Sequence, residues 1–145
     1  MDKNDNELAE QVRQRLCEAD RQLIELLGFE VESLEPGRAV VNMLVRPDMA
    51  NSGGACQGGL IFALADHAFA YACMSGNRAG VTLSANIIYS NPAMVGSRLT
   101  ATAVVQNEGG RTGSCSVDVS DQNGILIAQF SGVHYKTKLE IVSQL

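Results

Sequence analysis

The apolar residues Leu8, Val12, Leu16, Ala19, Leu23 and Leu27 recur at steps of three and four, with charges between them and Gly28 directly after the last. This spacing predicts an amphipathic helix over residues 8 to 27 that lies on another element. The runs FEVESL and GRAVVNMLVRP are rich in β-formers and are split by Glu35, Pro36 and Gly37, so residues 29 to 46 read as two strands joined by a tight turn. After the loop PDMANSGGACQ, residues 58 to 74 contain Asp66 and His67 as their only groups that ionise near neutral pH. A helix apolar on every side is expected to be buried on every side. Beyond Gly76 and Asn77 the pattern returns to β in four runs, VTLSANIIYSNP, SRLTATAVVQNEGG, RTGSCSVDVSDQNG and ILIAQFSGVHYKTK. Residues 107 to 110 and 122 to 124 read as hairpin turns. Alternation such as Leu99, Ala101, Ala103 and Val105 gives each strand one apolar face, so the last three strands are expected to form an antiparallel meander.

Strands therefore flank a single apolar helix, and one sheet face curled around that helix is the economical way to bury it. The expected class is α+β: an antiparallel sheet around a central helix, with an N-terminal amphipathic helix added. At 145 residues the chain has room for one core, so residues 1–145 are read as one domain with residues 1–6 flexible. No internal repeat or low-complexity segment interrupts it.

Composition narrows the function. With 46% apolar residues, 19% charged residues and three prolines, the chain is a packed domain rather than a disordered or fibrous one. Eleven Lys and Arg against 16 Asp and Glu give a net charge of −5, which offers no positive field for a nucleic acid. MDKNDNELAEQ has no apolar signal core, and no run reaches the length of a membrane span, so no membrane partner and a cytoplasmic location are expected. Cys17, Cys56, Cys73 and Cys115 form no CxxC pair and are read as free thiols. Neither His67 nor His134 stands at ligand spacing to a cysteine, so no metal and no cofactor are expected.

Candidate chemistry gathers around the apolar helix. Asn51-Ser52-Gly53-Gly54-Ala55-Cys56-Gln57-Gly58-Gly59 is glycine-rich and runs straight into it. A helix start presents unpaired N–H groups and partial positive charge, and glycine lets a ligand approach the backbone closely. No Lys-Ser/Thr follows the glycines, so a nucleotide P-loop is not supported; a carbonyl oxygen that turns negative during acyl transfer would suit such donors. A plain tight loop would have the same composition. Asp66 shares a helical face with Gly59, Phe62, Phe69, Ala70 and Cys73, where an unpaired carboxylate costs several kcal/mol of desolvation. It is a candidate general base, the alternative being a carboxylate at a solvated edge or bonded to backbone donors. Gly58 and Asp66 are roughly 12 Å apart along one helix, too far to touch one carbonyl, so if both act, a second chain supplies one of them. His67 points about 100° away from Asp66 and reads as packing. Cys56, just before the helix, is a weaker candidate nucleophile with no histidine near it in sequence. Arg111, Lys136 and Lys138 could meet phosphates or form a solvated face.

Taken together, these residues resemble the hotdog-fold acyl-CoA thioesterases, of the phenylacetyl-CoA thioesterase type and its animal relatives, over about residues 15 to 137. The family pattern Asn-x5-His-Gly-Gly-x7-Asp is matched by Asn51, Gln57-Gly58-Gly59 and Asp66. Gly80-Val81-Thr82 resembles the next strand start, YSNPAMVGSRLTATAVV the Pro-Ala-x2-Gly-x2-Leu stretch, and GGRTGS the turn near the CoA nucleotide. The resemblance implies a hotdog fold and a site at a dimer interface. In it Asp66 is general base or nucleophile, the Gly58 N–H of the other subunit polarises the thioester carbonyl, and Asn51 and Thr82 position thioester or water. Gln57, Gly59 and Arg111 complete the expected site. It further implies a homo-oligomer, a dimer or a tetramer built as a dimer of dimers. One position departs: the family histidine is Gln57 here, and an amide donates a hydrogen bond but carries no titratable charge. Two readings follow, a thioesterase acting on an aryl- or medium- to long-chain acyl-CoA and a non-catalytic acyl-CoA or aromatic-ligand binding protein on the same scaffold.

Overall fold

The computed structural model describes residues 3–143. It is an antiparallel sheet curled around one helix, the hotdog arrangement expected from the sequence. The chain begins with α1 (Lys3–Ala19), which buries Ala9 and Val12, and α2 (Arg21–Leu27), which buries none of its residues. The periodicity predicted one continuous helix here, and the structure corrects it at Asp20, whose φ of −93° and ψ of 11° leave the helical region. The cause lies elsewhere in the fold: Tyr71, 1% exposed, needs a partner for its buried hydroxyl and donates to the Asp20 carboxylate at 2.8 Å. Gly28, with φ +68°, closes α2 by returning its N–H to the Ile24 carbonyl.

The strands β1 (Phe29–Glu35), β2 (Arg38–Leu44), β3 (Gly80–Tyr89), β4 (Arg98–Glu108), β5 (Thr112–Ser120) and β6 (Leu126–Lys136) form one sheet in the order β1-β2-β4-β5-β6-β3. Every neighbouring pair is antiparallel, so β4, β5 and β6 make the expected meander. The concave face presents Leu99, Ala101 and Ala103 from β4, Cys115, Val117 and Val119 from β5, and Phe130 from β6, all 1% exposed or less. Into this trough packs α3 (Gly58–Met74). Close approach is possible because Gly132 on β6 lies under Phe69, where an added Cβ would come within 2.8 Å of the ring.

α3 is not buried all round, contrary to what its composition predicts. Ile61, Leu64, Ala65, Ala68, Phe69, Tyr71, Ala72 and Cys73 face the sheet or α1 and are buried, whereas Phe62, Ala63, Asp66, Ala70 and Met74 are half-buried and Gly59 is exposed. The open stripe lies on the side of β3. That edge strand is itself uncovered, with Val81 56%, Leu83 59% and Ile88 60% exposed and no charge or proline from Gly80 to Tyr89. An apolar, uncharged sheet edge is the surface other proteins usually shield.

Gly132→Ala should lower unfolding free energy by about 1–3 kcal/mol, because Phe69 cannot give way without leaving the trough; urea denaturation measures it. A loss below a few tenths of a kcal/mol would show that the helix seats more loosely than these contacts require.

Candidate active site

Asn51 builds the glycine-rich loop. Its Oδ1 accepts from the Gly53 N–H at 2.9 Å and the Ala55 N–H at 3.2 Å, a local turn of the kind Asn favours. That oxygen is thus spent on the loop, and the Nδ2 group is what Asn51 has left for a ligand. The loop is strapped down by two outside bonds, Gln57 N–H to the Met49 carbonyl and Cys56 N–H to the Ala93 carbonyl, both 2.8 Å. Gln57 is the N-cap of α3 with no side-chain capping bond, and its side chain is exposed. Its carbonyl takes the Leu60 N–H at 2.9 Å, so the N–H groups of Gly58 and Gly59 are left without an acceptor among the described residues. A helix start of this kind attracts negative charge.

Cys56, the weaker nucleophile candidate, is 4% exposed, and burial pushes its thiol pKa up, which opposes a reactive thiolate. His67 is packed between Phe29 and Tyr71, with ring centroids 5.0 and 4.3 Å away, and burial holds its pKa down. Both act in packing rather than chemistry.

Asp66 projects from the open stripe of α3, half-buried among Phe62, Ala63 and Ala70. Neither a hydrogen bond nor an ion pair within the described residues meets its carboxylate. Burial raises its pKa above the ordinary aspartate value, so the anion is more basic than one in water.

Thr82 lies exposed near the start of β3, opposite His134 on β6. Both line a small cavity of about 20 Å³ with Phe69, Ala70 and Cys73. His134 is 2% exposed, and neither ring nitrogen makes a hydrogen bond of good geometry among the described residues. Beyond the Gly80 end of β3 opens a cleft of about 720 Å³ lined by Arg78, Gly110, Arg111, Tyr135, Lys136, Thr137 and Lys138. Glu108 neutralises Lys136 at 3.1 Å, which leaves Arg78, Arg111 and Lys138 around the cleft without a carboxylate among the described residues. The sequence singled out Arg111, Lys136 and Lys138 but missed Arg78, whose Nη1 donates to the Lys138 carbonyl at 2.9 Å. It also missed Tyr89, whose hydroxyl donates to the Gly58 carbonyl at 2.6 Å.

One chain therefore brings these residues together in two groups. Asn51, Gln57, Gly58 and Gly59 gather with Tyr89 at the far end of β3; Thr82 and Arg111 gather near the cleft at the other end. Thr82 and Tyr89 stand seven residues apart on β3, which separates the groups by roughly 23 Å, with Asp66 on α3 between them.

Residues 53–128 match the family model of the thioesterase superfamily. Over 110 residues, 76% of this chain and 79% of the relative, the sequence is 39% identical to acyl-coenzyme A thioesterase PaaI of Escherichia coli strain K12. The solved structure of the E. coli PaaI protein, from the phenylacetic acid degradation operon, superposes with a TM-score of 0.90 at 35% identity, covering 93% of this chain and 97% of that one. Human acyl-coenzyme A thioesterase 13 is 35% identical over 107 residues, 72% of this chain and 75% of its own length. A Streptococcus mutans protein solved with acetyl CoA superposes with a TM-score of 0.75 at 26% identity, covering 77% of this chain and 90% of that one.

The environment of Asp66 has a measurable thermodynamic sign. A carboxyl whose folded pKa is raised above its unfolded value favours the fold only while protonated, so its ionisation weakens the fold as pH rises through the folded pKa. Asp66→Asn, neutral at every pH, should be more stable than wild type at pH 7, and the gap should close below the unfolded aspartate pKa of about 3.9. Denaturant unfolding at several pH values reads this; an Asn variant less stable at neutral pH would mean that the carboxylate has a stabilising partner.

Proposed function

This chain belongs to the thioesterase superfamily, and from that membership we propose that it is an acyl-CoA thioesterase that hydrolyses an aryl- or medium- to long-chain acyl-CoA to the free acid and CoA. The observation that carries the reading is Asp66, an unpaired, half-buried carboxylate of raised pKa on an apolar stripe. Burying a charge without a partner is costly, and a reacting water or thioester is the partner such a site is built for. Its apolar surroundings, Phe62, Ala63 and Ala70, suit an acyl or aryl group.

In our reading two chains pair antiparallel along their uncovered β3 edges. A twofold axis across that edge carries the Gly58 end of one chain towards the Thr82 and Asp66 region of its partner, which joins the two groups that one chain keeps apart. The minimal unit is thus a homodimer, and a tetramer would be two such dimers. Asp66 takes a proton from water; the resulting hydroxide attacks the thioester carbon, and the carbonyl oxygen, now negative, is held by the partner subunit's Gly58 N–H. The C–S bond then breaks, and the departing thiolate recovers the proton from Asp66. Direct attack by the Asp66 carboxylate, through an anhydride that water then opens, uses the same groups. Asn51, through Nδ2, and Thr82, through its hydroxyl, orient thioester or water. Arg111, with Arg78 and Lys138, offers charge to the phosphates of CoA, as expected for the cleft of a CoA binder. A binding protein without turnover is the second reading, favoured by Gln57 where the resembled family carries histidine.

A thiol-release assay over a panel of acyl- and aryl-CoAs tests the proposal, and binding without release would establish the second reading. Asp66→Asn should lower turnover at least about a hundred-fold with the fold intact. Mixing Asp66→Asn chains with Gly58→Pro chains, which lack the N–H, should restore roughly a quarter of wild-type turnover, because half the dimers then hold one good site. No recovery, or a fully active monomer, would rule out the shared site.

Gln57→His should change turnover only modestly, because Gly58 and Asp66 supply electrophile and base while the exposed amide of Gln57 is free to donate to a ligand. A gain of several tens-fold, about 2 kcal/mol of transition-state stabilisation, would mean that a titratable imidazole is required and that the natural chain is chiefly a binder.

A further inference from the structure

Tyr89 ends β3, and the chain that follows it wraps the glycine-rich loop. Ala55 and Met94 form an antiparallel bridge, the Ala93 carbonyl takes the Cys56 N–H at 2.8 Å, and the Tyr89 hydroxyl donates to the Gly58 carbonyl at 2.6 Å. The hydroxyl end of the ring lies against the helix start: a Cβ on Gly58 would stand 3.1 Å from both Cζ and Oη of Tyr89, so a side chain there would have to push the ring back. Tyr89 also walls a cavity of about 370 Å³ shared with Asn51, Cys56, Gly58 and Ile61.

The Gly58 carbonyl and the Gly59 N–H belong to one peptide unit. A short hydrogen bond at the oxygen draws electron density along that unit and makes its N–H a stronger donor, as in any chain of amide hydrogen bonds. Of the first three N–H groups of α3, the third, Leu60, is already bonded to the Gln57 carbonyl. The first two, Gly58 and Gly59, donate to nothing among the described residues, and Gly59 is exposed. The Gly59 amide is polarised from behind and has its hydrogen free for a ligand.

We propose that Tyr89 is a positioning residue for thioester hydrolysis, holding and polarising the Gly58–Gly59 peptide so that the Gly59 N–H joins the Gly58 N–H in binding the oxyanion. This deepens the acyl-CoA thioesterase reading and rests on it. It also ties the strand edge on which two chains are proposed to meet directly to the electrophilic end of the site, through one side chain.

The test compares Tyr89→Phe, Gly59→Pro and the double variant in thiol release with the best acyl-CoA of the panel. Proline is tolerated in a first helical turn and removes only the N–H there. Tyr89→Phe should lower kcat roughly tenfold with KM changed less than about twofold, because the bond matters when charge develops. Gly59→Pro should lower kcat by at least as much, and adding Tyr89→Phe to it should change little, since the hydroxyl acts through an N–H already removed. In the ¹H–¹⁵N spectrum Tyr89→Phe should move the Gly59 amide proton upfield, a readout that stands even if Gly59→Pro fails to fold. Equal losses from Tyr89→Phe in both backgrounds would mark a merely structural role and overturn the proposal. So would unchanged kcat in Tyr89→Phe, or an unmoved Gly59 amide. A wild-type chain that releases no thiol from any acyl-CoA would instead remove the thioesterase reading, and the role of Tyr89 with it.

Discussion

The structure turns on a mismatch of areas. α3 is apolar around nearly its whole circumference, but a single sheet, however curled, wraps a cylinder from one side only. With α1 closing part of the remainder, β2, β4 and β5 take Leu64, Ala65, Ala68 and Ala72 out of water. A stripe from Gly59 through Phe62, Ala63, Asp66 and Ala70 to Met74 stays unfinished. The same deficit appears on the strand beside it, since β3 has one sheet neighbour, β6, and carries its apolar side chains into solvent. Both surfaces lack cover on the same flank, and a single additional element there would finish both.

Asp66 draws its chemistry from that flank. On the trough side, among Leu64 and Ala68, a carboxylate would be protonated or would unfold the chain; on an outer face in water it would be an ordinary acid. The half-covered stripe is intermediate: apolar enough to raise its pKa and open enough to admit a reactant. The open N–H groups at the start of the same helix carry partial positive charge, and roughly 12 Å of α3 between Gly58 and Asp66 keeps them from neutralising the carboxylate within one chain.

Much of this was legible in the sequence, and the boundary of legibility is physical. The limits of α3 follow from local signals, a glycine run before it and a break in apolar character after it, and the hairpin turns are likewise local. Asp66 stands out because a charge in an apolar helix is conspicuous in one dimension. The break at Asp20 was not legible, because it depends on a hydroxyl 51 positions away, and residues 16 to 24 keep their helical spacing regardless. Tyr89 escaped for the same reason: its contact with Gly58 spans 31 positions, and an aromatic at a strand end reads as packing. Arg78 carries no local signal of its own, and only the folded sheet places it with Arg111 and Lys138 around one cleft. Asn51 was legible as a candidate through the resembled motif but not as the loop's own fastener, because spacing alone does not say which end of an amide is already engaged. The incomplete burial of α3 is the most instructive miss, since hydrophobicity records that a surface must be covered without recording by which chain.

The irregularity of β3 carries one more implication. Between Thr82 and Ser84 its register against β6 shifts by one residue, so the strand bends there and twists more strongly on one side of Leu83 than on the other. A uniform apolar edge would accept any extended segment, including those of half-made chains, and would slide along it. A bent edge meets its full complement of backbone partners only against a strand bent at the matching place. The extra residue at Leu83 therefore sets a limit of shape on an edge that is adhesive by composition: only a strand bent to match can pair with it along its whole length.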